Sequence, residues 1–397
     1  MTWRTTSGLC LLIVLLVASG RLHWTTASSA SAQSAAAENL PAFEYDSTWP
    51  KRLPNQWVTG NIGAIAVDST DHVWIAQRPG STLGLSERYG LEGSGECCFP
   101  APPIMEFDQA GDLVQAWGPI HGEKGELLGK QVWGPYPDVE WPLYEHGLFV
   151  DHNDNVWVNN QRAPSQVMKF TRAGKFLLRL GKEESTSSND TMNFAGPAGL
   201  HVDAMANELY VSDGYRNRRI IVFDADTGAY KRHWGAFGRR PVDPAPGASR
   251  GSDPAARLQQ FVTAHCVTMS RDRLVYVCDR GNNRIQVFQP DGTYVREMRV
   301  APDTKGIGAV HALAFSADED QRFLYVGDGA NKKVWILRRD DLKILGSFGY
   351  GGKGGGQFMI VHALTVDSNG NVYVGETRDN NRVQRFKFVG MRPAGAE

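Results

Sequence analysis

The sequence has almost no net charge, few cysteines and only one long apolar run. Its 397 residues carry 42 Lys and Arg against 43 Asp and Glu, for a formal charge of −1. Because a phosphate backbone is bound by a basic field, this balance argues against nucleic acid as a partner. The apolar content of 42% and the charged content of 21% are those of an ordinary globular protein.

The apolar run GLCLLIVLLVASG at residues 8–20 is too short for a spanning helix, which needs about 20 residues. It follows a positive residue and precedes an Ala-x-Ala pattern at Ala30 and Ala32, which is the arrangement of a secretory signal peptide. We therefore predict a signal peptide at 1–32, a disordered linker at 33–42 and a secreted or periplasmic protein without stable membrane insertion. An uncleaved membrane anchor is the alternative.

Four of the five cysteines lie beyond this segment. The neighbours Cys97 and Cys98 are not expected to bridge each other. Cys266 and Cys278 flank a turn at 270–273, and a hairpin centred there places them opposite each other, so that a disulfide is geometrically possible. Two small buried hydrophobic residues are an equally good interpretation of this pair.

Glycine and tryptophan, by contrast, are abundant, with 43 and 11 residues. Many turns together with many aromatic residues suit an all-β protein with short strands. From residue 60 onward one pattern returns six times: a short apolar strand, a polar turn, a strand such as VYV, a second turn and a third strand. No segment shows the 3.6-residue period of a helical solenoid. With a fourth strand after most copies, the pattern predicts an all-β, six-bladed β-propeller over residues 43–390.

The last repeat has only three clear strands of its own. The stretch FEYDSTWP at 43–50 can supply the fourth strand, which closes the ring and removes exposed sheet edges. Three insertions rich in Gly, Pro and Trp are predicted to form rim loops over one face, at 79–103, 119–142 and 236–258. A propeller of this size is expected to be a monomer.

Histidines recur at one position of the repeat, the first residue of the inner strand, which we call the slot. The slot holds His146, His265 and His362 in repeats two, four and six. Alternate blades of a six-bladed ring are about 120° apart, so these side chains should point at one spot on the axis. Three imidazoles and an open position are how a catalytic Zn²⁺ is held. We therefore predict a zinc site, although a single histidine at a strand start is usually a hydrogen-bonded core residue.

The slot of repeat five holds a further histidine, His311. It can be a partner of a ligand, a fourth ligand or unrelated to the site.

The second turn of the repeats also carries candidate functional residues: Arg78, Tyr215 and Arg280 in repeats one, three and four. These turns lie near the central channel on one face. A tyrosine beside arginines and a dication is a candidate general base, and the arginines can grip a carboxylate. Packing between blades is the alternative for Tyr215. For Arg280 the alternative is a structural role, since arginines recur at the start of the third strands.

The segments VSDGYRNRRIIVF and AHCVTMSRDRLVYVCDRGNNRIQVF resemble the NHL-repeat propeller of peptidyl-α-hydroxyglycine α-amidating lyase. The resemblance covers most of residues 60–388. It implies a six-bladed propeller with an axial zinc. It also implies that a C-terminal α-hydroxyglycine, a carbinolamide, is cleaved to a peptide amide and glyoxylate, or that a related small substrate is cleaved.

The residues that carry these roles in the family follow from the resemblance. The metal ligands fall on His146, His265 and His362, the catalytic tyrosine on Tyr215, and the active-site arginines on Arg78 and Arg280. Ala363 stands where the family has a calcium-binding aspartate, which argues against calcium here. Arg216 replaces a family cysteine after the tyrosine, so that disulfide is absent.

Two other functions compete with a zinc lyase that acts on a small-molecule or peptide substrate. A non-catalytic NHL propeller would bind a protein or glycan ligand through its loop face. A propeller hydrolase of lactones or esters would centre on calcium held by Glu, Asn and Asp. The slot lacks carboxylates, and Asp203 and Asp367 end inner strands where aspartate recurs as a turn residue, so the hydrolase ranks third.

Overall fold

Short strands and tight turns form six four-stranded antiparallel sheets, which are the blades of a propeller. The computed structural model describes residues 39–120, 141–142, 144–243 and 257–393. Blade one consists of the strands Asn61–Val67, Val73–Arg78, Ile104–Phe107 and Leu113–Trp117. Blade two consists of Glu145–Val150, Val156–Asn160, Gln166–Phe170 and Phe176–Leu180. Blade three consists of Pro197–Asp203, Glu208–Asp213, Arg219–Asp224 and Tyr230–Trp234. Blade four consists of the strands Ala264–Met269, Val275–Asp279, Arg284–Phe288 and Tyr294–Arg299. Blade five consists of Ala312–Phe315, Phe323–Asp328, Lys333–Arg338 and Ile344–Phe348. Blade six consists of Val361–Val366, Val372–Glu376, Val383–Pro393 and Asn39–Asp46.

The first strand of each blade lies innermost, next to the axis. Inner strands of consecutive blades contact one another, and the inner strand of blade six contacts that of blade one, so the ring is closed. The predicted fold class and number of blades are therefore confirmed. Between the blades pack six clusters of buried apolar side chains, which include the tryptophans Trp74, Trp117 and Trp157.

Blade six is completed by the N-terminal strand Asn39–Asp46, as predicted from FEYDSTWP. Asp46 lies opposite Arg385, and its carboxylate accepts a 2.8 Å hydrogen bond from the Arg385 Nε. The strand begins at Asn39, inside the segment predicted as a disordered linker, because Leu40 is fully buried in the core next to blade five. The predicted linker is thus wrong for residues 39–42, while the predicted signal peptide at 1–32 lies outside the described residues.

Aspartates at the ends of inner strands explain the tight first turns. The Asp151 Oδ1 accepts hydrogen bonds of 2.9 Å from the backbone N–H groups of Asn153 and Asn155, while its Oδ2 accepts one from the Trp157 indole. Asp68 and Trp74 repeat this arrangement in blade one. These carboxylates therefore serve the turns, as the sequence indicates for Asp203 and Asp367.

Arginines at the start of the third strands also have a structural role. Arg219 pairs with Asp213 at 2.9 Å and Arg284 pairs with Asp279 at 2.8 Å, with all four side chains buried. The two pairs tie the end of the second strand to the start of the third.

The four described cysteines form two disulfides. Cys266 and Cys278 are opposite each other in the register of blade four and form a disulfide. Cys97 and Cys98 also form a disulfide, contrary to expectation; their shared peptide bond is cis, which brings the two Cα atoms to 3.1 Å.

The remaining elements are short. The strands Trp57–Val58 and Phe99–Pro100 pair in parallel, as do Tyr350–Gly351 and Gln357–Phe358. Single helical turns are formed by Pro79–Thr82, Leu85–Arg88, Tyr89–Glu92, Ala236–Gly238 and Arg280–Asn282. Within the described ranges, no helix is long and apolar enough to cross a bilayer. Most of the predicted rim loop at 119–142 lies outside those ranges.

Candidate metal centre on the propeller axis

The three slot histidines of the even-numbered blades converge on the axis. The ring centres of His146, His265 and His362 lie 4.8 to 5.0 Å apart, and one ring nitrogen of each lies within 4.8 Å of the other two. All three side chains are buried. The predicted convergence is therefore observed, and its cause is the strand register, which puts the slot at one depth in every blade.

Backbone carbonyls of the odd-numbered blades orient these imidazoles. The Nδ1 of His146 lies 3.0 Å from the Ala198 carbonyl oxygen, and the Nδ1 of His265 lies 2.6 Å from that of His311. Because a carbonyl only accepts, each Nδ1 carries the hydrogen and each Nε2 keeps a free lone pair. For His362 the corresponding carbonyl is that of Gly63; it opposes the lowering of the His362 pKa, but a standard hydrogen bond is not formed.

The environment keeps the imidazoles neutral. Burial lowers the pKa of His146, His265 and His362 well below the ordinary value of 6.5, and neighbouring positive groups, including Arg280, lower it further. Neutral imidazole is the form that binds a metal ion. Three such donors with room for another ligand are the set found around catalytic zinc.

Tyr215 lies against this group rather than between blades. Its hydroxyl is 2.8 Å from the Nε2 of His146 and 3.1 Å from the Nε2 of His265. Gly196, with a φ of 82°, makes room for it, since a Cβ there would lie 2.6 Å from the Tyr215 Cβ. Arg280 also contacts this tyrosine, with its guanidinium carbon 5.3 Å from the centre of the Tyr215 ring.

Arg78 is a buried cation without an ion-pair partner among the described residues. Its Nε donates a 2.6 Å hydrogen bond to the Glu145 carbonyl, and its guanidinium stacks 4.1 Å from the centre of the Tyr144 ring. The buried Nη2 of Arg78 has no hydrogen-bond partner, and neither has the buried Nε of Arg280. A buried, unpaired guanidinium is costly, so this arrangement favours the binding of an anion.

These residues surround a cavity of about 210 Å³, which we call the mouth. The described residues that line it are Asn61, Arg78, Tyr144, His146, Gln161, Tyr215, Arg280, Ile307, His311, Ile360, His362, Thr377 and Arg378. None of them is acidic. Tyr144 and Arg378 were not predicted as site residues. Arg378 lies in the second turn of blade six, the same position of the repeat as Arg78, Tyr215 and Arg280, and this shared position is the signal that identifies it.

The channel on the other side of the histidines is larger, at about 580 Å³, and begins with an apolar collar. Two residues beyond the slot, every blade supplies one buried aliphatic side chain. We call this set the aliphatic ring: Ile65, Leu148, Leu200, Val267, Leu313 and Leu364. The slot thus separates a cationic mouth from a channel that begins with the aliphatic ring.

A second group of possible metal ligands, Asp68, His72 and Glu106, is already engaged in ion pairs and hydrogen bonds. Arg172 forms an ion pair with Glu106 and another, at 3.0 Å, with Asp68. Asp68 also accepts the indole N–H of Trp74. This cluster is therefore an internal salt-bridge network.

Comparison with known proteins agrees with the architecture. The NHL repeat model matches residues 261–288 and 358–386, which contain His265, Arg280 and His362. Peptidylglycine alpha-amidating monooxygenase of Rattus norvegicus is 27% identical over 85% of this chain and 32% of its own length. This chain is a six-bladed propeller that carries NHL repeats in these two segments and is similar to amidating enzymes. The predicted resemblance is thereby confirmed.

One of two further relatives is named as a lyase, and the other is named only by its repeat. Peptidyl-alpha-hydroxyglycine alpha-amidating lyase 1 of Drosophila melanogaster is 25% identical over 87% of this chain and 60% of its own length. NHL repeat-containing protein 3 of Mus musculus is 26% identical over 63% of this chain and 58% of its own length. The propeller therefore spans about a third of the rat relative and a little over half of the other two.

Proposed function

We propose that this propeller is a zinc-dependent lyase that cleaves a C-terminal α-hydroxyglycine, a carbinolamide, to a peptide amide and glyoxylate. One observation carries the proposal: three neutral imidazoles converge on the axis, a tyrosine hydroxyl contacts two of them, and this tyrosine shares one small mouth with a buried, unpaired arginine. The similarity to proteins with amidating lyase and monooxygenase names supports it. A small molecule with the same carbinolamide and carboxylate groups is an alternative substrate.

In this proposal His146, His265 and His362 hold the zinc ion. Their donor set fits zinc because the rings are neutral and two of them are oriented by carbonyls that fix the hydrogen on Nδ1. When bound, the zinc supplies Lewis-acid polarisation of the substrate hydroxyl. Calcium has no part in the proposal, since the side chain of Ala363 offers no ligand oxygen.

Arg78 binds the substrate carboxylate. Its free Nη2 and its fixed orientation over Tyr144 suit a charge-assisted hydrogen bond to a carboxylate oxygen. Arg280, whose guanidinium lies over the Tyr215 ring, supplies a second positive charge to the same mouth. Since the described lining residues include no acid, nothing in the mouth competes with the substrate for these arginines.

Tyr215 would act in its phenolate form, which accepts the proton of the substrate hydroxyl at Oη. The electron pair of that O–H bond forms the new C=O bond of glyoxylate while the C–N bond breaks. The pair of the C–N bond passes to the amide nitrogen, which takes a proton to give the peptide amide. Tyr215 can return this proton, so that the enzyme ends the cycle in its starting state.

The proposal is tested with zinc-loaded protein and an N-acyl-α-hydroxyglycine. We expect one zinc per chain by elemental analysis, and glyoxylate formation that stops on chelation and returns with added zinc. Zinc-loaded protein that produces no glyoxylate would reject the reaction. A protein that also binds no metal would leave the non-catalytic ligand-binding propeller as the better interpretation.

We also propose that the protein is exported and acts as a monomer. The signal-peptide pattern at 1–32 supports export, and so does the Cys266–Cys278 disulfide, because disulfides persist in oxidising compartments. Mass spectrometry of the secreted protein should find an N-terminus close to Ala32. An intact N-terminus in the membrane fraction would instead indicate an uncleaved anchor.

A further inference from the structure

We propose that His311 is a further catalytic residue, which donates a hydrogen bond from Nε2 to the amide carbonyl oxygen of the substrate. This inference rests on the proposed lyase function. It assigns a role to the one slot histidine that lies outside the group of candidate metal ligands.

The position of His311 completes a pattern around the axis. Three odd-numbered blades fill the gaps between the three histidine-bearing blades. Blade one contributes Arg78 to the mouth and blade three contributes Tyr215, each from its second turn, while their slots hold only Gly63 and Ala198. In blade five the positions are exchanged: the slot carries the functional side chain, His311, and the second turn carries Gly329.

The second turn of blade five is shaped to receive this imidazole. Gly329 occupies the turn, and a Cβ there would lie 2.7 Å from the Cε1 and 2.9 Å from the Nε2 of His311. A side chain at position 329 would therefore push the ring away. The absence of a side chain at Gly329 therefore allows the His311 imidazole to occupy its position.

The hydrogen-bond pattern shows which nitrogen of His311 faces a ligand. The backbone N–H of Gly329 donates to the Nδ1 at 3.3 Å, so Nδ1 is the acceptor and the hydrogen of the ring is on Nε2. The Ala309 carbonyl opposes the lowering of the His311 pKa by burial, but no described residue forms a standard hydrogen bond with the side-chain Nε2. The residue is buried and lines both the mouth and the channel. The ring therefore presents an unused N–H donor to the cavity.

The same geometry argues against His311 as a fourth metal ligand. Its ring centre lies 5.4 Å from that of His265 and 6.3 Å from that of His362, beyond the spacing within the group of three. A nitrogen that carries a hydrogen has no lone pair for a metal ion. The contact of His311 with the candidate centre is through its backbone carbonyl, which accepts from His265 and remains when the side chain is changed.

The chemistry of the proposed reaction leaves one task for this donor. Arg78 takes the carboxylate and Tyr215 takes the hydroxyl proton, so the amide carbonyl is the remaining polar group at the reacting end. As the C–N bond breaks, its electron pair moves onto the amide nitrogen and is shared with the carbonyl oxygen. A donor placed at that oxygen stabilises charge that develops only in the transition state.

The test compares His311→Ala, His311→Gln and Gly329→Ala with the wild type, all loaded with zinc. We expect His311→Ala to lower kcat/KM by about 10²- to 10³-fold, as for loss of an oxyanion donor. His311→Gln should recover part of this loss, since its amide can donate from a similar distance. Gly329→Ala should reduce kcat/KM without removing the imidazole. Zinc content and competition with a chelator should stay at wild-type values in all three variants.

A matched control is His152→Ala, which removes an exposed histidine in the first turn of blade two, outside the lining of the mouth and the channel, and should leave every readout unchanged. Weakened zinc binding in His311→Ala would overturn the proposal and make His311 a ligand. Wild-type kcat/KM in His311→Ala would overturn it and leave the lyase function intact. If His311→Ala fails to fold, wild-type kcat/KM in both Gly329→Ala and His311→Gln would overturn it. A zinc-loaded wild type that makes no glyoxylate would overturn the lyase function, and this proposal with it.

Discussion

The slot layer and the aliphatic ring lie two residues apart on the same inner strands, yet they follow opposite rules. The aliphatic ring has Ile, Leu or Val in all six blades, whereas the slot alternates between His146, His265 and His362 and the residues Gly63, Ala198 and His311. Symmetric positions preserve the packing that every blade needs. Positions that break the symmetry carry the candidate chemistry: all six slot residues line the channel, and His146, His311 and His362 line the mouth as well.

The largest effect should come from removing a slot imidazole of an even-numbered blade. His265→Ala should lose the bound metal and, with it, all measurable glyoxylate formation, because two imidazoles are left to hold the ion. Elemental analysis of the purified variant measures the metal, and circular dichroism checks that the fold is retained. A variant that keeps one zinc per chain would show that His265 is not a ligand.

A smaller but still large effect is expected from Tyr215→Phe. The ring stays and only the hydroxyl near His146 and His265 is lost. We expect kcat to fall by about 10²- to 10⁴-fold, the usual contribution of a general acid or base, with zinc content unchanged. Wild-type turnover in this variant would make Tyr215 a packing residue.

Arg78→Lys should have a moderate effect on the same side of the slot. Lysine keeps the charge but loses the planar fork that stacks on Tyr144 and reaches the Glu145 carbonyl. A lost charge-assisted hydrogen bond amounts to about 1.5–3 kcal/mol, which is roughly 10- to 100-fold in kcat/KM. We expect most of this loss in KM, and an unchanged KM would contradict carboxylate binding by Arg78.

A change in the aliphatic ring should affect stability and spare the chemistry. Leu200→Ala removes a buried side chain from the cluster between blades two and three and should lower the free energy of unfolding by about 2–4 kcal/mol. Denaturant unfolding measures the loss, and the zinc content and kcat at low temperature should match the wild type. If this variant loses its metal, the two layers are not separable.

The smallest effect concerns pH on the channel side. The His201 ring packs against Phe149, and burial lowers its pKa to about 4 while Asp203 opposes the shift. Since the pKa of an unfolded histidine is near 6.5, its neutral form contributes stability above that pH, and this stability is lost as the pH falls through 4. His201→Gln should remove this part of the pH dependence of unfolding, whereas His152→Ala should not. Identical pH profiles for wild type and His201→Gln would contradict the shift.

Sequence alone predicts what the repeat enforces. The number of blades, the closure by residues near Phe43 and the convergence of the three histidines all follow from the register of a repeated strand. Features outside the repeat were missed. The start of the first strand at Asn39 depends on burial of Leu40, and the Cys97–Cys98 disulfide lies in an insertion.

The orientation of the imidazole rings could not be predicted from residue types. The groups that orient His146 and His265 are the backbone carbonyls of Ala198 and His311. Because every residue has a carbonyl, the residue types do not identify these two. The same holds for Gly329, whose role is the space it leaves beside His311. Only the placement of the blades in space connects these residues.

The most direct test of the central claim is anomalous diffraction at the zinc edge from crystals of zinc-loaded protein. We predict one strong peak on the propeller axis, at about 2.0–2.1 Å from one nitrogen each of His146, His265 and His362, the usual Zn–N distance. The peak should lie beside the Tyr215 hydroxyl, on the side of the mouth. An axis without an anomalous peak, or a zinc ion bound elsewhere on the protein, would contradict it.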